Sequence, residues 1–214
     1  MPPGASMPSK HMGDGDMAGM VAVASRSDLS PIHEEELARY RYRIFVERLG
    51  WAIADGRGPS EYERDQFDSA QTIYIIRRNP AGQICGCARL LPTDGPYLLK
   101  EIFPDLFTEG ELPSMPQVWE LSRLAATRAD LSDENTEDVL DGVRAMMSAV
   151  VDFAASRGIE RLVGVTYVAM ERLFRRLGIH AHRAGAPRVV DGKLIVACWI
   201  EVDAATKHAL GIEK

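Results

Sequence analysis

Between residues 133 and 157, Val139, Val143, Met146, Met147, Val150 and Ala154 recur at helical spacing, and Gly158 closes the run. A helix with one apolar face must lie on another layer. "QVWELSRLAA" before it and "ERLVGVTY" after it both read as strands, the second a buried one. The rest of the chain alternates in the same way. "MVAVAS" (20–25) is a candidate first strand. In "SPIHEEELARYRYRIFVERLG", Ser30 caps a helix with Pro31 in its first turn, Leu37, Tyr40, Ile44 and Phe45 mark its buried stripe, and Gly50 stops it. Residues 52–62 form a loop, a connection long enough to be functional. "TIYIIRR", "NPAG" and "QICGCARLL" make a hairpin turning at Pro80 to Gly82. "PYLLKEIFPDLF" predicts a short helix broken by Pro104, and "AMERLFRRLG" a helix ended by Gly178. "RVVDGKLIVACWIEV" predicts a hairpin at Asp191–Gly192, and Asp203 can cap a last helix. Mixed strands crossed by helices predict one α/β sandwich, with no internal repeat.

At 214 residues the chain suits one such domain, residues 19–214, preceded by a mobile tail over residues 1–18, which are rich in Met, Gly, Pro and Asp. A net charge of -6 with interspersed signs excludes a nucleic-acid footprint and a broad basic surface for anionic lipid. Cys85, Cys87 and Cys198 cannot build a disulfide framework or a structural zinc site, and suit a reducing compartment. No apolar run could span a bilayer, and "MVAVAS" is too short for a secretion signal, so a cytoplasmic protein without membrane attachment is expected.

The chemically pointed stretch is "ERDQFD", where Glu63, Asp65 and Asp68 fall within six residues. Carboxylates so close raise one another's pKa unless a cation sits among them. They either cap a turn paired with Arg41, Arg89 or Arg123, or line a pocket for a cationic substrate. In "VWELSR", Glu120 and Arg123 interrupt an apolar strand three residues apart, on opposite faces of a regular strand. A β-bulge would turn both toward a common cleft. Other candidates are weaker. "QICGCA" matches the pyrophosphate loop of coenzyme A-dependent N-acetyltransferases but lies inside a strand, where it cannot open a helix. His180 and His182 lack further ligands at metal-binding spacing, and Ser122 lacks a glycine elbow, so no metal is expected. Arg172, Arg175 and Arg176 form a basic helix face, either solvated or suited to an acidic partner.

"RYRIFVERLGW", "ERDQFD", "GCARLLPT", "LLKEIFPDLF" and "WELSR" fall in the order and spacing of LuxI-type acyl-homoserine lactone synthases, which this chain resembles from about residue 20 to its end. The resemblance implies a GNAT-like three-layer sandwich, a mixed central sheet with a V-shaped split flanked by helices. It implies an acyltransferase making a quorum-sensing signal from S-adenosylmethionine and acyl-[acyl carrier protein], with methylthioadenosine and the free carrier released. S-adenosylmethionine is then a substrate and no cofactor is needed. The family's near-invariant positions match Arg41, Phe45, Trp51, Asp65, Asp68, Arg89, Glu120 and Arg123, with Glu63 a further acidic match.

On that reading the carboxylates receive the sulfonium and ammonium, Phe45 and Trp51 add cation–π attraction, and the arginines balance the empty pocket. Glu120 is the first choice of general base and Glu63 the second. An apolar acyl slot would be lined by Leu121, Leu124, Met146, Met147, Val150, Gly164, Thr166, Met170 and Leu177. Leu124 replaces the family's usual phenylalanine after "SR". Gly164 stands where 3-oxo-selective relatives often carry threonine, which implies an unsubstituted or 3-hydroxy chain of medium length; Thr166 is the alternative hydroxyl. Lys100, Arg172, Arg175 and Arg176 would dock the acidic carrier, and a monomer is expected. Two other classes fit less well: an acyl-coenzyme A-dependent GNAT N-acyltransferase, and a non-catalytic domain binding a cationic metabolite.

Overall fold

The computed structural model describes residues 21–51, 61–127 and 136–212. The N-terminal stretch over residues 1–18, most of the 52–62 loop and the expected start of the long helix at Asp133 lie outside the described residues. A mixed eight-stranded sheet runs in the order β1 (Val21–Ser25), β2 (Ile73–Arg78), β3 (Ile84–Pro92), β4 (Val118–Ala126), β5 (Arg161–Tyr167), β8 (Lys193–Glu201), β6 (Ala181–Arg183). A further short strand, β7 (Arg188–Val190), hairpins onto β8 through Asp191 and Gly192, both at positive φ. Neighbouring strands are antiparallel except β4 and β5, which pair in parallel only over Val118–Glu120 and Arg161–Val163.

Alternating side chains divide the sheet between two helical layers. Ile75, Ala88 and Leu90 face α3 (Thr136–Ser156), whose Val143, Met146, Met147 and Val150 pack beside α4 (Val168–Arg176) and α5 (Ala204–Ala209). On the other face, Tyr74, Ile76 and Cys87 meet α1 (Pro31–Arg41), while Leu91, Val163 and Ala197 meet α2 (Leu98–Ile102). Ser30 caps α1 by accepting from the His33 N–H at 3.3 Å, and Asp203 caps α5 by accepting from the Thr206 N–H at 2.8 Å. Helix α1 continues as a π-helical stretch, Tyr42–Arg48, a widened turn of the kind found near functional sites. "QICGCA" lies within β3 and opens no helix.

The bulge expected in "WELSR" is present. Cys87 pairs with Ala125 but Arg89 pairs with Ser122, so β4 holds one extra residue here. Arg123 takes a φ of +52° in the same stretch, rare for a residue with a side chain. Beyond Glu120 the β4–β5 ladder stops and the strands part. Gly164 stands at this fork, where a Cβ would collide with the Leu121 carbonyl oxygen.

Candidate active site

Glu63, Asp65 and Asp68 belong to no helix or strand; they sit in a turn held by its own polar groups. The Asp68 carboxylate accepts from the Asp65 N–H at 3.0 Å, and Asp65 accepts from the Phe67 N–H at 3.0 Å. The Glu63 N–H donates to the Ala38 carbonyl, which ties this turn to α1. Three arginines converge on it from α1, β3 and β4. Arg41 donates to Glu63 at 2.5 Å and to Asp68 at 2.8 Å. Arg89 donates to Asp65 at 2.5 Å and to Asp68 at 2.9 Å, and its Nε reaches the Ser122 hydroxyl at 3.0 Å. Arg123 bridges Glu63 at 2.8 Å and Asp65 at 2.7 Å.

Three carboxylates thus face three guanidinium groups, and the lattice is close to neutral. Burial would raise the Glu63 pKa, but the charges of Arg41 and Arg123 hold it at about 2. Asp68 is likewise held far below the usual carboxylate range: burial opposes this, but Arg41 and Arg89 prevail. All three acids are already paired within the protein, as expected of arginines that balance the empty pocket. The aromatic faces are occupied too. Phe45 and Trp51 stack at 4.9 Å, and the Arg123 guanidinium lies 5.5 Å and 5.2 Å from their centroids.

Beside this lattice opens a cavity of about 600 Å³ that passes through the fork between β4 and β5. On the α2 side Phe45, Trp51, Phe67 and Phe103 give it an aromatic wall, and on the α4 side Met170, Phe174, Cys198 and Ile200 give it a mixed apolar one. Asp65, Ser122 and Arg123 reach its surface where the lattice meets it. The Trp51 indole N–H donates to the Tyr167 hydroxyl, and Lys193 donates to the Leu49 and Gly50 carbonyls, closing one side. Neither Tyr167 nor Lys193 stood out in sequence, where a lone tyrosine or lysine is an ordinary surface residue.

Of the expected acyl-slot residues, Leu121, Leu124, Gly164, Thr166 and Met170 line the cavity. Met146, Met147, Val150 and Leu177 do not; they fill the core between α3, α4 and the sheet, since helical periodicity marks burial without separating core from cavity wall. Glu120 is also off the wall: its carboxylate is fully buried and accepts backbone N–H bonds from Leu98 and Leu99. Glu63, held at about 2, is a weak proton acceptor near neutral pH. Neither carboxylate therefore has the geometry or basicity expected of the general base. Arg172, Arg175 and Arg176 are exposed on α4, but Lys100 lies on α2, across the sheet, and does not join them. His180 and His182 pair with Asp203 at 2.6 Å and Glu201 at 2.8 Å, and among the described residues no cluster could hold a metal.

A bulged strand parting from a parallel neighbour, with an apolar cavity through the fork and helices on both faces, defines a GNAT-like acyltransferase. The autoinducer synthase family profile matches residues 25–210, and the chain belongs to that family. It is 52% identical over 179 residues to the acyl-homoserine-lactone synthase of Ralstonia nicotianae, a match covering 82% of this chain and 85% of that protein. Its fold is similar to TofI, solved in a ternary complex with an inhibitor and MTA, at 48% identity and a TM-score of 0.79 over 92% of this chain and 98% of that one. It is also similar to BjaI, a coenzyme A-dependent acyl-homoserine lactone synthase solved with MTA, at 26% identity and a TM-score of 0.77 over 92% of each chain. Among the described residues no helix is long and apolar enough to cross a membrane.

Proposed function

We propose that this chain transfers an acyl group from acyl-[acyl carrier protein] to the α-nitrogen of S-adenosylmethionine and then closes the homoserine lactone, working in the cytoplasm as a monomer without a cofactor. The observation that carries this reading is the cavity through the β4–β5 fork: one aromatic wall, one mixed apolar wall, and a charged lattice where they meet. The aromatic side suits the nucleoside, and the α4 side suits an alkyl chain. The lattice fixes Arg123, Phe45 and Trp51 in place. Asp65, on the wall, presents negative charge to the sulfonium and ammonium.

For transfer, the α-ammonium gives a proton to water at the Asp65 end of the cavity. The freed nitrogen attacks the thioester carbonyl, an N–C bond forms, and backbone N–H groups at the bulge hold the oxyanion. The C–S bond then breaks and the carrier thiol leaves with a proton. In the second step the substrate carboxylate attacks the carbon bonded to sulfur, and neutral methylthioadenosine departs; here orientation supplies most of the acceleration. The exposed Arg172, Arg175 and Arg176 favour an acidic carrier as donor. The purified protein should be incubated with S-adenosylmethionine and either carrier-bound or coenzyme A-bound acyl chains, with products read by mass spectrometry. Lactone and methylthioadenosine together, formed faster from the carrier, are expected. Faster synthesis from coenzyme A would overturn the choice of donor, and neither product would overturn the activity.

A further inference from the structure

Glu120 is fully buried beside the cavity without lining it. It lies in the last paired step of β4 with β5, opposite Val163, and the cavity wall begins one residue later at Leu121. Its Oε2 accepts the Leu98 N–H at 3.0 Å and its Oε1 accepts the Leu99 N–H at 2.6 Å. These are the first two residues of α2, whose own cap residue, Tyr97, makes no side-chain capping bond. The N-terminal amides of α2 are thus held by a carboxylate from another element of the fold, in a fully buried setting where an unmet amide is expensive. Burial raises the Glu120 pKa, while the Leu99 and Leu98 amides and the nearby Arg89 and Arg123 pull it down. Helix α2 and the residue after it deliver Leu98, Ile102 and Phe103 to the cavity, on the same side as Phe45, Trp51 and Phe67.

We infer that Glu120 is a positioning residue: it anchors the start of α2 and thereby sets the wall of Leu98, Ile102 and Phe103 on which the nucleoside end of S-adenosylmethionine rests. This rests on the function proposed above. To act as a base, Glu120 would have to give up both helix amides.

Methylthioadenosine separates the two roles, because it carries the nucleoside but no amine to deprotonate. Its affinity is measured by calorimetry on the full chain for wild type, Glu120→Gln, Glu120→Asp, Phe103→Ala and the Glu120→Gln/Phe103→Ala double variant. Glutamine sets an NH2 group against one helix amide, and aspartate keeps the charge but is too short to reach both. Either change should weaken methylthioadenosine binding about tenfold, the loss of one buried hydrogen bond. Phe103→Ala should weaken it similarly, and the double variant should bind no worse than the weaker single one. The kcat of Glu120→Gln should keep the wild-type pH profile. If Glu120→Gln or Glu120→Asp binds methylthioadenosine as wild type does, or if Glu120→Gln loses the acidic limb of the profile, Glu120 is not the anchor. A wild-type protein that binds no methylthioadenosine would instead overturn the proposed function itself.

Discussion

Asp68 is the most heavily used acid of the cluster. Its Oδ1 receives Arg41, Arg89 and the Tyr74 hydroxyl, the last at 2.6 Å, while its Oδ2 receives the Asp65 amide. Asp68→Asn would leave Arg41 and Arg89 buried with one anion fewer. Urea unfolding should show a loss of about 3–5 kcal/mol, as for other broken buried pairs. Each of these two arginines also has a buried Nη2 without a partner among the described residues, so little redundancy absorbs the change. All six members of the lattice were legible as residues: acids spaced two and three apart, Arg89 and Arg123 isolated in apolar strands, and Arg41 beside the apolar stripe of a helix mark groups that need partners. The pairing itself was not. Arg41 and Asp68 are 27 residues apart, Arg123 and Glu63 are 60 apart, and nothing local specifies which donor meets which oxygen.

At the scale of elements, α4 offers a basic face and the β5–β8 pair shapes the cavity. Arg175 and Arg176 are exposed on α4, and Arg175 has a 3.5 Å contact to Glu171. Reversing both to Glu should raise the apparent KM for acyl-carrier substrate while leaving that for S-adenosylmethionine unchanged; an unchanged, salt-independent constant would count against this docking face. Cys198 pairs across the sheet with Gly164, and this small pair lies on the cavity wall. Burial pushes the Cys198 thiol up to about 12, so it acts here as a small apolar group. Cys198→Phe should fill the slot and shift products toward shorter acyl chains, read by mass spectrometry. The helices and hairpins were legible because Ser30, Gly158 and Asp191–Gly192 punctuate the chain at their ends. Strand β6 was missed, since three residues give no alternation to detect, and the π-helical stretch shares its apolar stripe with an ordinary helix.

For the molecule as a whole, stability should depend on acid in one direction. Glu63 has a folded pKa of about 2 against an ordinary 4.5, and Asp68 is lowered too. Between those limits the unfolded chain binds more protons, so their contribution is complete above about pH 4.5 and is lost as pH falls toward 2. Thermal melting should therefore be insensitive to these groups near neutrality and fall steeply below pH 4.5, and Glu63→Gln should flatten that fall. The layered architecture follows from patterns in the chain, but the placing of β8 between β5 and β6 does not, because that order joins strands distant in sequence. The hollow was legible through the family resemblance, which implied a V-shaped split, and through the bulge expected in "WELSR"; one surplus residue in β4 bends that strand away from its neighbour. Excising Leu124 to restore an even count should let the two strands zip together, leaving a sound sandwich with no room for a guest.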